Sequence, residues 1–126
     1  MVYCFNGEPK FIMAKKIFEN YTINNYYDLD WRLTELETDD KYHIRDPNYI
    51  IKKPKNLFEM LKYSKMLSQE FVFVRVDLYE VNGLIFLGEL TFTPVNGFKK
   101  WKNINHNKKI AKLIDINKIK DYLYNN

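Results

Sequence analysis

The stretch FVFVRVDLYEVNGLIFLGELTFTPVNGF occupies residues 71–98. Strand-forming residues fill it on both sides of Asn82-Gly83, the dipeptide of tight hairpin turns. Side chains alternate along a strand. Val72, Val74, Val76 and Leu78 therefore share one face, and Phe71, Phe73, Arg75, Asp77 and Tyr79 share the other. In the second strand Leu84, Phe86, Gly88, Leu90 and Phe92 alternate with Ile85, Leu87, Glu89, Thr91 and Thr93.

The turn decides which sets coincide. A two-residue Asn82-Gly83 turn pairs Val81 with Leu84 and mixes the valine face with the glutamate face. A three-residue loop, Val81-Asn82-Gly83, with Gly83 as a left-handed bulge, restores one apolar face. It sets Arg75 opposite Glu89 and Asp77 opposite Leu87, and this is the expected register. Arg75, Asp77, Glu89 and Thr91 then gather on one face. Asp77 and Glu89 become diagonal neighbours, roughly 7–8 Å apart at the backbone. Two carboxylates at that spacing suit a hard cation such as Mg²⁺. Arg75 beside them suits a phosphate oxygen or an oxyanion. The alternative is a solvated cross-strand ion pair of Arg75 with Glu89. The apolar Phe73, Ile85 and Leu87 around it argue for partial shelter.

Outward from this hairpin, KPKNLFEMLKYSKMLSQE (53–70) predicts a helix over 55–69. Leu57, Met60, Leu61, Ser64 and Leu67 fall on one stripe, with Pro54 ahead of the start and Asn56 as N-cap. VYCFNGEPKFIMAKK (2–16) predicts a second hairpin turning at Asn6-Gly7. Residues 17–33 read as loop with short extended pieces, and 34–53 lack periodicity, with a turn at Asp46-Pro47. The closing NKKIAKLIDINKIKDYLYNN (107–126) reads as helical in part.

At 126 residues, 46% hydrophobic and 29% charged, the chain is one globular domain. The net charge of +4, from 20 basic and 16 acidic residues, is too mild to make a nucleic-acid binder by itself, although KKWKNINHNKK is locally basic. One cysteine, Cys4, forms no internal disulfide, so a reducing, cytoplasmic compartment is expected. No signal-peptide pattern and no membrane-spanning run is present. His43 and His106 lack partners at metal-ligand spacing, and Cys4 lacks a base nearby, so surface and packing roles are expected of them. Asp28 and Asp30 suit loop capping, and Trp31 and Trp101 suit packing.

Four blocks in order carry a resemblance: CFNGEPKF (4–11), YYDLDW (26–31), the opening stretch, and NKKIAKLIDI (107–116). Together they resemble the TupA-like ATP-grasp family, at the C-terminal half of the ATP-grasp domain. The resemblance implies ATP and Mg²⁺ as cofactors and a ligase that joins a carboxylate to an amine. It implies Asp77, Glu89 and Thr91 as metal ligands, with the Thr91 hydroxyl a weaker ligand standing where the family carries an asparagine. It implies Arg75 as the catalytic cation, Arg32 as a phosphate contact, and Asn96 and Gly97 in a loop near the acceptor. Val95 and Asn96 are larger than is usual in that loop. The family's N-terminal nucleotide-clamp subdomain has no counterpart here, so residues 1–126 are expected to form a partial, truncated domain.

The expected fold is α+β: a mostly antiparallel sheet with both helices on one face. The expected function is an ATP-grasp carboxylate–amine ligase-like protein of bacterial surface-polysaccharide biosynthesis, in a capsule or teichuronopeptide locus with glycosyltransferases. The alternative is a non-catalytic remnant or binding module from such a locus. Expected partners are ATP, a carboxylate and amine substrate pair, and a missing-subdomain partner or a second copy at an exposed strand edge.

Overall fold

A computed structural model describes residues 1–92, 100–114 and 117. Six strands form one sheet in the order β4-β3-β2-β1-β5-β6. They are β1 (Val2–Phe5), β2 (Glu8–Ile17), β3 (Thr22–Tyr27), β4 (His43–Ile44), β5 (Phe73–Val81) and β6 (Leu84–Thr91). Every pairing is antiparallel except β3 with β4. Helix α1 (Leu57–Ser68) joins β4 to β5, and α2 (Ile104–Ala111) follows β6. The α+β class expected of the sequence is the observed one.

The helices lie on opposite faces of the sheet, not on one. Strand β1 is buried at all four positions, so it is apolar on both sides and both sides need cover. On the back, Val2, Cys4, Val74 and Val76 pack with Leu61 and Leu67 of α1, and Ile12 and Tyr27 pack with Leu57. On the front, Tyr3, Phe5, Phe11, Met13 and Tyr26 form an aromatic core with Trp101, which Ile110 of α2 and Leu113 join. Trp101 stands edge-on to Tyr26 at 5.0 Å between ring centres. Such pairings add to the area that each ring buries.

Strand β3 corrects the reading of residues 17–33 as loop. Its Asn24 and Asn25 are weak strand formers, but tertiary bonds override that preference. Asn25 is fully buried. Its amide donates to Asp46 O and Tyr49 O, and its Oδ1 accepts from Asp46 N. The turn at Asp46-Pro47 is thereby tied to the sheet.

The β5–β6 hairpin corrects the predicted register. Val81 pairs with Leu84 across a two-residue turn, with φ of 52° at Asn82 and 78° at Gly83. That is the turn type whose twist matches the strands. The mismatch of faces is cured mid-strand instead. Leu78 pairs with Leu87 and Asp77 with Glu89, so Gly88 is the extra residue of a bulge. A Cβ at Gly88 would lie 2.3 Å from Tyr79 Cε2, so the ring of Tyr79 occupies the space that a side chain there would need.

Helix α1 is fastened to this hairpin. Glu80 accepts from the amides of Lys55 at 3.1 Å and Asn56 at 2.7 Å. A carboxylate is thereby placed at the positive end of the helix. Asn56 is the N-cap residue, but its side chain caps nothing; it donates to Gly83 O at 2.9 Å.

Candidate functional site

The bulge sends Arg75, Asp77, Glu89 and Thr91 to the front face together. Asp77 stands directly opposite Glu89, and Arg75 opposite Thr91. Arg75 grips Asp77 along the strand, with Nε to Oδ1 at 2.9 Å and Nη2 to Oδ2 at 3.0 Å. Nη2 also donates to Thr91 Oγ1 at 3.3 Å. The side chains of this pair are 12% and 6% exposed. A buried charge needs a partner and aligned hydrogen bonds, and a two-pronged guanidinium–carboxylate contact supplies both. Burial opposes the charge of Arg75, but the bonds and charge of Asp77 outweigh it and its pKa is raised. Burial also pushes the nearby Tyr3 hydroxyl up, with the positive charge of Arg75 pulling the other way.

Glu89 differs in kind. It is exposed and makes no ion pair among the described residues. The face thus offers one buried carboxylate already held, one exposed carboxylate that is free, and one hydroxyl. This all-oxygen set fits Mg²⁺, which takes one or two protein carboxylates and completes its shell with water and substrate phosphates. No group of three His, Cys, Asp or Glu side chains converges among the described residues, so a closed, all-protein cage is not what the site provides.

Arg32 is not brought to this cluster. Asp28 shapes its loop by accepting from the amides of Asp30 and Arg32. The Arg32 guanidinium meets Asp30 at 3.6 Å and is 78% exposed. Asn96 and Gly97 lie outside the described residues. Cys4 is buried, and burial pushes its thiol up to about 11, the opposite of a reactive thiolate. His43 pairs with Asp40 at 2.8 Å. Trp101 is core, and Trp31 stacks on Tyr27 at 4.3 Å.

The structure adds a cavity of about 600 Å³ that the sequence did not disclose. Arg75 forms part of its wall, with Lys15, Asn24, Asp39, His43 and Lys100. Lys15 in β2 faces Asn24 in β3, a pairing hidden while residues 17–33 read as loop. One signal was present: a lysine continuing the face begun by Phe11 and Met13.

A protein-family model, TupA-like ATPgrasp, matches residues 1–115, nearly the whole chain. The chain belongs to the TupA-like ATP-grasp family. No curated protein and no solved structure matches it. Among the described residues, no helix is long and apolar enough to cross a membrane.

Proposed function

We propose that this chain is the metal-bearing half of an ATP-grasp carboxylate–amine ligase acting in bacterial surface-polysaccharide biosynthesis, with ATP and Mg²⁺ as cofactors. One observation carries the reading: Asp77 and Glu89 are direct cross-strand partners on the face that also holds Arg75 and Thr91. In the proposed reaction a substrate carboxylate oxygen attacks the γ-phosphorus of ATP, the bond to the ADP oxygen breaks, and an acyl phosphate forms. An amine then attacks the acyl carbon, phosphate leaves with its bonding electrons, and the amine gives up a proton. When bound, Mg²⁺ supplies charge neutralisation on the phosphoryl oxygens.

The residues divide the work by burial. Glu89, exposed and unpaired, presents a carboxylate to the ion. Asp77 offers a second one, and the grip of Arg75 fixes its direction. Thr91 holds the Arg75 fork from the neighbouring strand. Three N–H groups of Arg75 are engaged by Asp77 and Thr91. The Tyr3 hydroxyl also meets the guanidinium, and the same cation can steady a transferring phosphate or an oxyanion. Arg32 is proposed as a phosphate contact from its exposed loop, and Asn96 and Gly97 as acceptor-loop residues.

A second reading, a binding module that has kept the hairpin without the chemistry, draws on the completeness of the Arg75–Asp77 pair as a structural unit. Calorimetric titration with Mg–ATP separates the two. The ligase reading expects binding by the wild type, its loss in Glu89→Gln and Asp77→Asn, and a folded Glu89→Gln variant. Equal binding by Glu89→Gln would leave the carboxylate pair without this role.

A further inference from the structure

The cavity of about 600 Å³ beside Arg75 is a half-open cleft whose lining mixes apolar groups with charged and polar ones. Its floor is the front of β2 and β3, where Lys15 pairs with Asn24 and Ile17 with Thr22. Its roof is the segment Thr38–Asp40 together with Lys100. A bridge of Thr38 with Trp101 and a 2.9 Å bond from Asp39 N to Lys100 O hold that roof. Trp101 is core, so the roof is anchored rather than draped.

The charges in this compartment are unevenly spent. The Asp40 carboxylate accepts from Tyr42 N and meets His43 Nδ1, both at 2.8 Å. The Tyr42 amide and then His43 hold its pKa below the ordinary carboxylate value. Lys15 and Lys100 have no carboxylate partner among the described residues, and neither does Asp39. Asn24 is 3% exposed, and its Oδ1 has no hydrogen-bond partner among the described residues. Buried amides of that kind are rare unless a ligand or water completes them. The cavity therefore offers two free ammonium groups, Lys15 from its floor and Lys100 from its roof, together with the Arg75 guanidinium. It also offers a free carboxylate, an amide and the Thr22 and Thr38 hydroxyls. A phosphate dianion would meet Asp39 and Asp40 as repulsion. A monoanionic carboxylate that also carries hydroxyl or ammonium donors satisfies both halves. A volume of this size accommodates a small, drug-sized molecule.

We infer that the cavity walled by Lys15, Asn24, Asp39 and Lys100 binds the carboxylate-bearing substrate, a polyfunctional organic acid with hydroxyl or ammonium groups, and presents its carboxylate to Arg75. The inference rests on the ligase reading for its place in a reaction, but the binding site itself does not. The lysines choose the acid, Asp39 and the threonines choose its donors, and Arg75 stands between the cavity and the Asp77–Glu89 pair.

The test is a titration of the full chain, without nucleotide, with galacturonate as a sugar acid and L-alanyl-L-alanine as an amino acid derivative. Galactose, methyl galacturonate and inorganic phosphate serve as controls, and amide chemical shifts as the readout. At least one acid is expected to bind and to shift the amides of Lys15, Asn24 and Lys100; the tighter one names the source of the carboxylate. Lys15→Met and Lys100→Met, both at exposed positions, are each expected to weaken it by roughly tenfold or more. Lys62→Met, at an exposed position of α1 outside both sites, is expected to leave it unchanged. The inference is overturned if neither acid binds, if the ester or galactose binds as well, if phosphate displaces the acid at equal concentration, or if both lysine variants bind normally. Mg–ATP titration of the same variants keeps the two ideas apart. Acid binding with no Mg–ATP binding sinks the ligase reading alone, and the converse sinks the cavity alone.

Discussion

The β1–β2 and β5–β6 hairpins share a turn and an irregularity. Asn6 and Gly7 have φ of 53° and 80°, and Asn82 and Gly83 have 52° and 78°. Each ladder slips by one residue within a few pairs, between Tyr3 and Cys4 in one and between Asp77 and Leu78 in the other. Their surroundings are opposite. Strand β1 is the centre of the sheet, with Cys4 at 0% and Tyr3 at 3% exposure. Strand β6 is an edge, with Leu84 at 63% and Phe86 at 50%. The same local chemistry thus builds a core in one place and displays side chains in the other. What differs is position in the sheet, and the residues proposed to carry chemistry sit in the displayed hairpin.

The comparison breaks most readily through its cores. Phe11→Ala in the central hairpin should cost about 3–5 kcal/mol. Phe86→Ala at the edge should cost under about 1 kcal/mol. Urea denaturation of the two variants checks this, and equal losses would dissolve the distinction. Inside the site, Arg75→Met leaves the Asp77 carboxylate buried without its partner and should cost about 3–5 kcal/mol. The double variant Arg75→Met/Asp77→Leu should recover much of that. Glu89→Gln, at an exposed and unpaired position, should fall within about 0.5 kcal/mol of wild type.

Cys4 sharpens the contrast through pH. Its thiol titrates near 11 in the folded chain against an ordinary value of 9.0. Between those values the unfolded chain has lost the proton and the folded chain has kept it. The folded state then binds more protons, so stability falls as pH rises from about 9 to 11 and is unaffected below that window. The full loss from this thiol is about 3 kcal/mol, and Cys4→Ala should make this part of the stability–pH curve shallower.

The turns give the smallest effect and the finest comparison. A Cβ at Gly7 would meet Gln69 at 3.2 and 3.3 Å, whereas one at Gly83 would meet nothing within 4 Å. Both sites impose positive φ, costing about 1 kcal/mol for alanine. Gly7→Ala should therefore destabilise more than Gly83→Ala, and a reversed order would mean that packing around the turns has been misjudged.

These contrasts mark what the residues disclose on their own. Asn-Gly between alternating runs located both hairpins, and the stripe from Leu57 to Leu67 located α1. The gathering of Arg75, Asp77, Glu89 and Thr91 on one face was also legible. The route to it was not: the slip was assigned to the turn, whereas Gly88 makes it beneath the ring of Tyr79. Diagonal carboxylates became direct partners as a result. Strand β3 was hidden because the support for Asn25 comes from Asp46 and Tyr49, a contact that local preference does not encode. The side of the sheet taken by α2 depended on Tyr3 and Phe5 needing cover, a fact about β1 being central that no single segment states. The cavity was hidden for the same reason, since its floor is β3 and its roof joins residues 38–40 to Lys100.

We propose that the displayed hairpin, not the buried one, holds a metal–nucleotide half-site. Titrating Mn²⁺ into the chain with ATP and following paramagnetic broadening of backbone amides tests it most directly. The account predicts early broadening at Asp77, Glu89 and Thr91, little at the Asn6-Gly7 turn, and its loss in Glu89→Gln. Broadening that ignores Glu89→Gln, or none at β5–β6 when ATP and Mn²⁺ are both present, would contradict it.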